Sequence, residues 1–241
     1  MISTQRSLKV YLLLVSACFL FLVLNIAYIE STQALNRIIL PYAAAQSPEN
    51  LTLSTLISQG SPYQGNLNSS LVIIDFSDFQ CYLCKRYVDN TEQQINSTYV
   101  QPGKAVYVFK HLPNRGFDSK NASIAAQCTN DQGKFWEFHK TLYADQGPID
   151  SGWVNTENLK KFANEIPNMN ITQFESCLDT KKYESFVDKD IAMANSLGFT
   201  ETPSFIIMNS EGSNIEKIQG PKPFPIFKSI IDNLESKISN K

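Results

Sequence analysis

A nearly unbroken apolar run over residues 71–76, Leu-Val-Ile-Ile-Asp-Phe, leads directly into Cys81-Tyr-Leu-Cys84. Consecutive apolar and β-branched residues suit a strand buried on both faces. The punctuation over 77–84 ends that strand, and a helix is predicted from about 82 to 98. Pro102-Gly103 marks a turn, and 105–109 reads as a second strand. Two strands separated by one helix form a βαβ unit, which implies a parallel pair. The chain is therefore committed to an α/β layer, with two thiols placed where strand gives way to helix.

From about 119 to 197 the apolar spacing is helical. Ile124, Ala125 and Cys128 share a face, as do Phe135, Phe138, His139 and Leu142. Leu159, Phe162 and Ala163 repeat the spacing, as do Phe174, Cys177 and Leu178. Asp145-Gln146-Gly147-Pro148 and Ile166-Pro167-Asn168 divide this region into several helices. After it, 204–208 is a strand, 209–214 a hairpin turn and 215–218 its partner strand. A closing helix over 224–238 carries Phe227, Ile230, Ile231 and Leu234 on one face. The order βαβ, helical block, ββα predicts an α/β fold with an all-helical insertion over about 119–197.

The 241 residues suit one folded unit with an extension. Lys+Arg 21 against Asp+Glu 23 leaves a net charge of −2, and there is no basic run. Nucleic-acid binding by phosphate neutralisation is therefore not expected. Residues 10–29 carry no charge, and a helix of about 20 residues spans about 30 Å, a bilayer core. Arg6 and Lys9 precede this run and Glu30 follows it, which orients the N-terminus to the cytoplasm and the remainder outside. A cleaved signal peptide is the alternative, but its apolar part is usually shorter. We expect an anchor over 1–30, a tether over 31–60 and the folded domain over 61–241. The protein is placed at the cell membrane with one pass. Asn-x-Ser/Thr sequons at Asn50, Asn68, Asn96, Asn121 and Asn170 are compatible with export and show nothing further.

Two thiols one turn apart at a helix start can close a disulfide in a tight loop. The helix N-terminus offers unpaired N–H groups and partial positive charge that stabilise a thiolate. Such a thiolate leaves more readily and is more populated as a nucleophile. Cys81 is expected to be the exposed nucleophile and Cys84 the inward resolving thiol. Half a zinc site competes with this reading, but His111 and His139 lack the spacing that would complete one. A static disulfide also competes. Thr202-Pro203 precedes the 204–208 strand. A cis bond there would set the Thr202 backbone beside the cysteines, where it could pair with an extended substrate. Asp75 is an acid inside the apolar strand. It reads either as a solvated carboxylate at a sheet edge or as a proton acceptor for Cys84. Asp78 is expected as an exposed loop residue or helix cap, and His111 as a satisfied loop residue.

Phe76-Ser-Asp-Phe-Gln-Cys-Tyr-Leu-Cys resembles the active-site segment of the DsbA-like thiol:disulfide oxidoreductases of the thioredoxin superfamily. Gln127-Cys-Thr-Asn-Asp-Gln-Gly-Lys-Phe-Trp-Glu-Phe-His is similar to the start of that family's helical domain, and Gly198-Phe-Thr-Glu-Thr-Pro-Ser-Phe to its cis-proline segment. The resemblance covers about 61–241 in order. It implies a thioredoxin-like fold and thiol–disulfide exchange on exported proteins. It implies a buried acid at Asp75, a redox pair at Cys81 and Cys84, and a cis-proline at Pro203 with Thr202 before it. It calls for no metal and no cofactor. The dipeptide Tyr82-Leu83 departs from the family's usual Pro with an aromatic or His. These residues tune the thiolate, and potentials across such proteins span about 150 mV, or about 7 kcal/mol for two electrons.

Cys128 and Cys177 lie on apolar helical faces. Export favours a structural disulfide between them, with a second redox pair as the alternative. Cys18 falls in the membrane run as a spectator. The leading expectation is a membrane-tethered disulfide donor to exported proteins with cysteine thiols. A membrane redox partner would reoxidise it, and with no spare length for a dimerisation domain it is expected as a monomer. A reductase or isomerase using the same residues, and a non-catalytic thioredoxin-fold binding module, are the alternatives.

Overall fold

The computed structural model describes residues 51–239. The apolar run over 10–29, and with it the expected anchor and Cys18, lies outside these residues. Among the described residues no helix is long and apolar enough to cross a membrane.

The described chain begins with helix α1 (Leu53–Ser58) and strand β1 (Tyr63–Gln64). Strand β2 (Leu71–Ser77) follows, and then a long helix, α2. This helix opens as Tyr82–Tyr87 and continues through π-helical turns at Val88–Glu92 and Asn96–Val100, with α-helical Gln93–Ile95 between them. Strand β3 (Ala105–His111) comes next. Five helices follow: α3 (Asp118–Asn130), α4 (Phe135–Ala144), α5 (Thr156–Asn164), α6 (Ile171–Asp179) and α7 (Glu184–Ser196). Strands β4 (Ser204–Asn209) and β5 (Glu216–Gln219) and helix α8 (Phe224–Ser239) complete the order.

The sheet order is β1-β3-β2-β4-β5. β2 pairs parallel with β3 and antiparallel with β4, so it is central, and every one of its residues is buried. Its side chains alternate between two layers, as the period of two requires. Val72, Ile74 and Phe76 face a core with α1 and the Met193–Leu197 end of α7. Leu71 and Ile73 face a core of Tyr87, Ile95 and Tyr99 from α2 and Phe227, Ile231 and Leu234 from α8. Asp75 has the parity of Leu71 and Ile73 and therefore points toward the α2 layer.

The folded region starts before residue 61. Thr52 caps α1 in a reciprocal box with Thr55, Leu51, Leu53 and Leu56 are buried, and Leu53 N donates to Ser210 O at 3.0 Å. This segment seats on the β4–β5 turn. A Cβ at Gly212 there would lie 2.0 Å from Leu51 O, so only glycine admits the approach. Residues 51–60, expected as tether, thus belong to the domain, because their short apolar patches have a surface to cover. The helical block also divides. α3 to α6 share their own core with Phe79, Cys81, Cys84 and Phe109, whereas the end of α7 joins the sheet. α7 is fixed there by Lys110 Nζ, which donates to Asp190 Oδ1 at 2.8 Å with both side chains buried.

Cys128 of α3 and Cys177 of α6 form a disulfide across 49 positions. Loop-closure entropy for that length corresponds to about 4 kcal/mol. Replacing both with alanine is expected to lower the unfolding free energy by about that amount in urea denaturation. A loss under about 1 kcal/mol would show that the bond does not restrain the unfolded chain.

Candidate active site

The end of β2 carries the chain through residues 78–80 to Cys81, which occupies the cap position of α2 with extended backbone (φ −80°, ψ 114°). No side chain caps this helix, so no capping oxygen competes for its first-turn N–H groups. Those of Leu83 and Cys84 hydrogen-bond the Cys81 sulfur. Both cysteines are reduced. The Cys84 thiol donates to Cys81, and this is the largest cause holding the Cys81 thiol down from 9.0 to about 5. Burial opposes it, and hydrogen bonding with Thr202 and the two backbone N–H groups adds to it. Cys84 moves the other way, pushed well up by burial first, then by donating to Cys81 and by the charges of Cys81 and Asp75. The pair therefore divides into an ionised outer sulfur and a protonated inner one.

Cys81 is 2% exposed, which corrects the expectation of an exposed nucleophile. The cis-proline loop closes over it: the Thr202–Pro203 peptide is cis, and Cys81 Sγ lies 3.3 Å from Thr202 O. Tyr82 is 68% exposed and stands in solvent instead, while Leu83 packs on the core of the insertion. Thr202 and Pro203 are themselves buried. The structure thus gathers Cys81, Cys84, Tyr82, Leu83, Thr202 and Pro203 in one place, with Asp75 beneath. Cys128 and Cys177 are engaged separately in their disulfide.

Asp75 is fully buried in the central strand, so the solvated edge position is excluded. Ser77 Oγ donates to its Oδ1 at 2.5 Å and Tyr107 Oη to its Oδ2 at 2.9 Å. Burial raises its carboxyl from 3.8 to about 7, the two hydroxyls pull it down, and the Cys81 charge pushes it up. A carboxyl tuned to near neutrality is suited to trading a proton with a neighbouring thiol. The sequence reading missed Tyr107. Its register opposite Ile73 puts the ring on the Asp75 face, and only the pairing of the two strands sets that register.

Two other residues differ from expectation. Asp78 is buried rather than exposed, because its oxygens accept from Gln80 N at 2.8 Å and from Asn114 N and Arg115 N at 2.7 Å each. His111 ends β3 rather than lying in a loop. It is fully buried, with Nε2 3.2 Å from Gln127 Oε1, and burial lowers its pKa to about 4. Lys85 turns from the thiolate, donating to Tyr143 O at 2.7 Å and pairing with Asp89. Gln146, read only as part of a helix break, donates to Phe79 O and Cys81 O and ties the insertion to the cysteine loop. His139 and Glu92 face each other at 3.7 Å. Burial drives His139 down to about 3 and Glu92 well up, so the contact is between neutral groups. No group of three or more His, Cys, Asp or Glu set to hold a metal ion occurs among the described residues.

The thioredoxin family model matches residues 58–233. The chain belongs to the thioredoxin family. Within it, the chain is a DsbA-like thiol:disulfide oxidoreductase. Disulfide bond formation protein D of Bacillus subtilis (strain 168) is 22% identical over 151 residues, covering 62% of this chain and 68% of that protein. The crystal structure of oxidised BdbD from Bacillus subtilis superposes with a TM-score of 0.65 at 21% identity, covering 73% of this chain and 92% of that one. Wolbachia pipientis alpha-DsbA1 gives a TM-score of 0.64 at 27% identity over the same shares. The βαβ and ββα halves with their helical insertion are thus a thioredoxin-like fold.

Two outcomes follow for this oxidoreductase. Absorbance of the reduced protein at 240 nm is expected to titrate with a midpoint of about 5, against 9.0 for an ordinary thiol. As the Cys81 value is lowered by folding, the reduced form should gain stability as pH rises from about 5 to about 9. A thiolate midpoint above about 8 would contradict this site. For Asp75 the sign is opposite: its penalty is absent below 3.8, grows with pH and is complete above about 7. Asp75→Asn is therefore expected to stabilise the fold by about 2 kcal/mol at high pH and not in acid. Equal urea midpoints at all pH values would contradict a buried ionising carboxyl.

Proposed function

We propose that this chain is a membrane-tethered, exported disulfide donor acting through Cys81 and Cys84. The observation that carries the direction of exchange is the split between the two sulfurs. Stabilising the Cys81 thiolate stabilises the reduced pair, and a pair whose reduced form is favoured has an oxidising disulfide. Loss of Pro and His from the dipeptide has not removed that feature, since the donors to Cys81 are Cys84 and the backbone of the first turn.

In the forward direction a substrate thiolate attacks Cys81 Sγ of the disulfide, the S–S bond breaks and Cys84 leaves. Asp75 is placed to exchange the proton of Cys84, and the Thr202 main chain to pair with the substrate backbone as an added strand. A second substrate thiolate then attacks the substrate sulfur of the mixed disulfide and releases Cys81. The substrate gains a disulfide, and two electrons end on the pair: Cys84 takes up one of the two protons given up by the substrate thiols, the other passes to solvent, and Cys81 is left as a thiolate. A membrane redox partner would return the pair to the disulfide.

Export and tethering are supported by the uncharged run over 10–29 with its basic leading flank, and by a structural disulfide, which belongs to oxidising compartments. We read residues 1–30 as the anchor and the stretch up to about 50 as the tether. The catalytic unit lies outside the cell membrane and acts as a monomer.

The test is the equilibrium potential of the Cys81–Cys84 pair against glutathione, joined to trapping by Cys84→Ser. A potential well above about −200 mV is expected, with Cys84→Ser accumulating mixed disulfides with exported thiol proteins and Cys81→Ser accumulating none. A potential near −270 mV, that of thioredoxin, would reverse the direction to reductase. Full exchange activity in Cys81→Ser would end both enzyme readings in favour of a binding module.

A further inference from the structure

Thr200 to Pro203 lie just before β4, and the β2–β4 ladder stops at Phe76 paired with Ser204. The loop that covers Cys81 therefore depends on bonds from outside the sheet. On one side Gly220 N donates to Pro203 O at 2.8 Å. On the other side stands Asn114, in the turn after β3. Its Nδ2 donates to Thr200 O at 3.1 Å, and its Oδ1 accepts from the Thr202 hydroxyl at 3.1 Å. Both polar atoms of one carboxamide are thus spent on the same three-residue stretch, whose Thr202 carbonyl reaches Cys81 Sγ at 3.3 Å.

Asn114 is exposed, and exposed hydrogen bonds hold little by themselves. Its backbone, however, is anchored in the interior. Asn114 N and Arg115 N donate to Asp78 Oδ2, and the other oxygen of that buried carboxylate takes Gln80 N, next to Cys81. One carboxylate therefore fixes both the segment that delivers Cys81 and the turn that delivers Asn114. Asp78, Asn114 and Thr202 form a strut that sets the spacing between the nucleophile and the loop above it.

We propose that Asn114 is a positioning residue for protein substrates: by gripping Thr200 and Thr202 it holds the Thr202 main chain in the register at which a substrate strand pairs beside Cys81. This rests on the substrate-pairing role of Thr202 proposed above. Asn114 does not touch the reacting sulfurs, and a reductant too small to form a strand has no use for the register it keeps. The strut should therefore matter to extended peptides and not to small thiols.

The experiment compares the oxidised full-length wild type with Asn114→Ala, Thr202→Val and the double variant. A decapeptide dithiol and dithiothreitol serve as reductants. Asn114→Ala is expected to raise KM for the peptide about tenfold, the worth of about one or two hydrogen bonds, with kcat and the dithiothreitol rate within about twofold. Thr202→Val is expected to raise that KM less, because the bond to Thr200 O survives, and the double variant is expected to match Asn114→Ala, which has already lost both bonds. An unchanged peptide KM would overturn the proposal. So would equal slowing toward both reductants together with a lower denaturation midpoint, which would mark Asn114 as merely structural. A wild type that reacts with neither reductant would instead bring down the underlying exchange reading, and this inference with it.

Discussion

Everything at the site depends on β2 being paired on both sides. With β3 parallel on one edge and β4 antiparallel on the other, the strand has no freedom of register, and a slip of one residue would exchange its two layers. Held this way, its odd positions face α2 and α8, so Asp75 is sealed under the helix that begins at Cys81. The same pairing ends at Phe76 and Ser204, which brings the loop before β4 to the same end of the sheet as the loop after β2. The thiols, the acid and the cis-proline loop converge because three chain segments share one strand.

The helical insertion closes this arrangement. Its core takes in Phe79, Cys81 and Cys84, so the cysteine loop is packed from the insertion side as well as held from the sheet side. Gln146 and Tyr143 bond the main-chain carbonyls of Phe79, Cys81 and Asp78, and so hold the loop in which the Leu83 and Cys84 N–H groups meet the Cys81 sulfur. The Cys128–Cys177 bond ties α3 to α6 far along the chain and steadies the body on which those contacts are mounted. Burial then acts with opposite sign on different groups. It raises Asp75 and Cys84, while hydrogen bonds keep Cys81 low despite it.

Much of this was legible in one dimension. The continuous apolar run of β2, the start of α2 at Tyr82, the hairpin around Gly212 and the apolar stripe of α8 all follow from spacing and local conformational preference, which neighbours along the chain set. The α1 segment was legible only in hindsight: Thr52 and Thr55 form a cap, but six residues with few apolar positions look like linker until a surface for Leu53 and Leu56 exists. Asp78 was misjudged for a related reason. A polar residue in a turn reads as solvated unless its donors are known, and those of Asp78 come from Asn114 and Arg115, far along the chain.

The sequence alone determined the α/β order with its insertion, the position of Cys81 and Cys84 at the junction of strand and helix, and the residues able to act with them. These are consequences of periodicity, turn chemistry and motif, all short in range. The tertiary structure alone decided that Cys81 is covered rather than exposed, that Asp75 lies in a central strand beside Tyr107, and that Asn114 reaches the Thr202 loop. Burial and hydrogen bonds between distant segments set these features, and with them the opposite proton affinities of the two sulfurs. Neither desolvation nor a contact between residues 78, 114 and 202 exists until the sheet has brought their segments together.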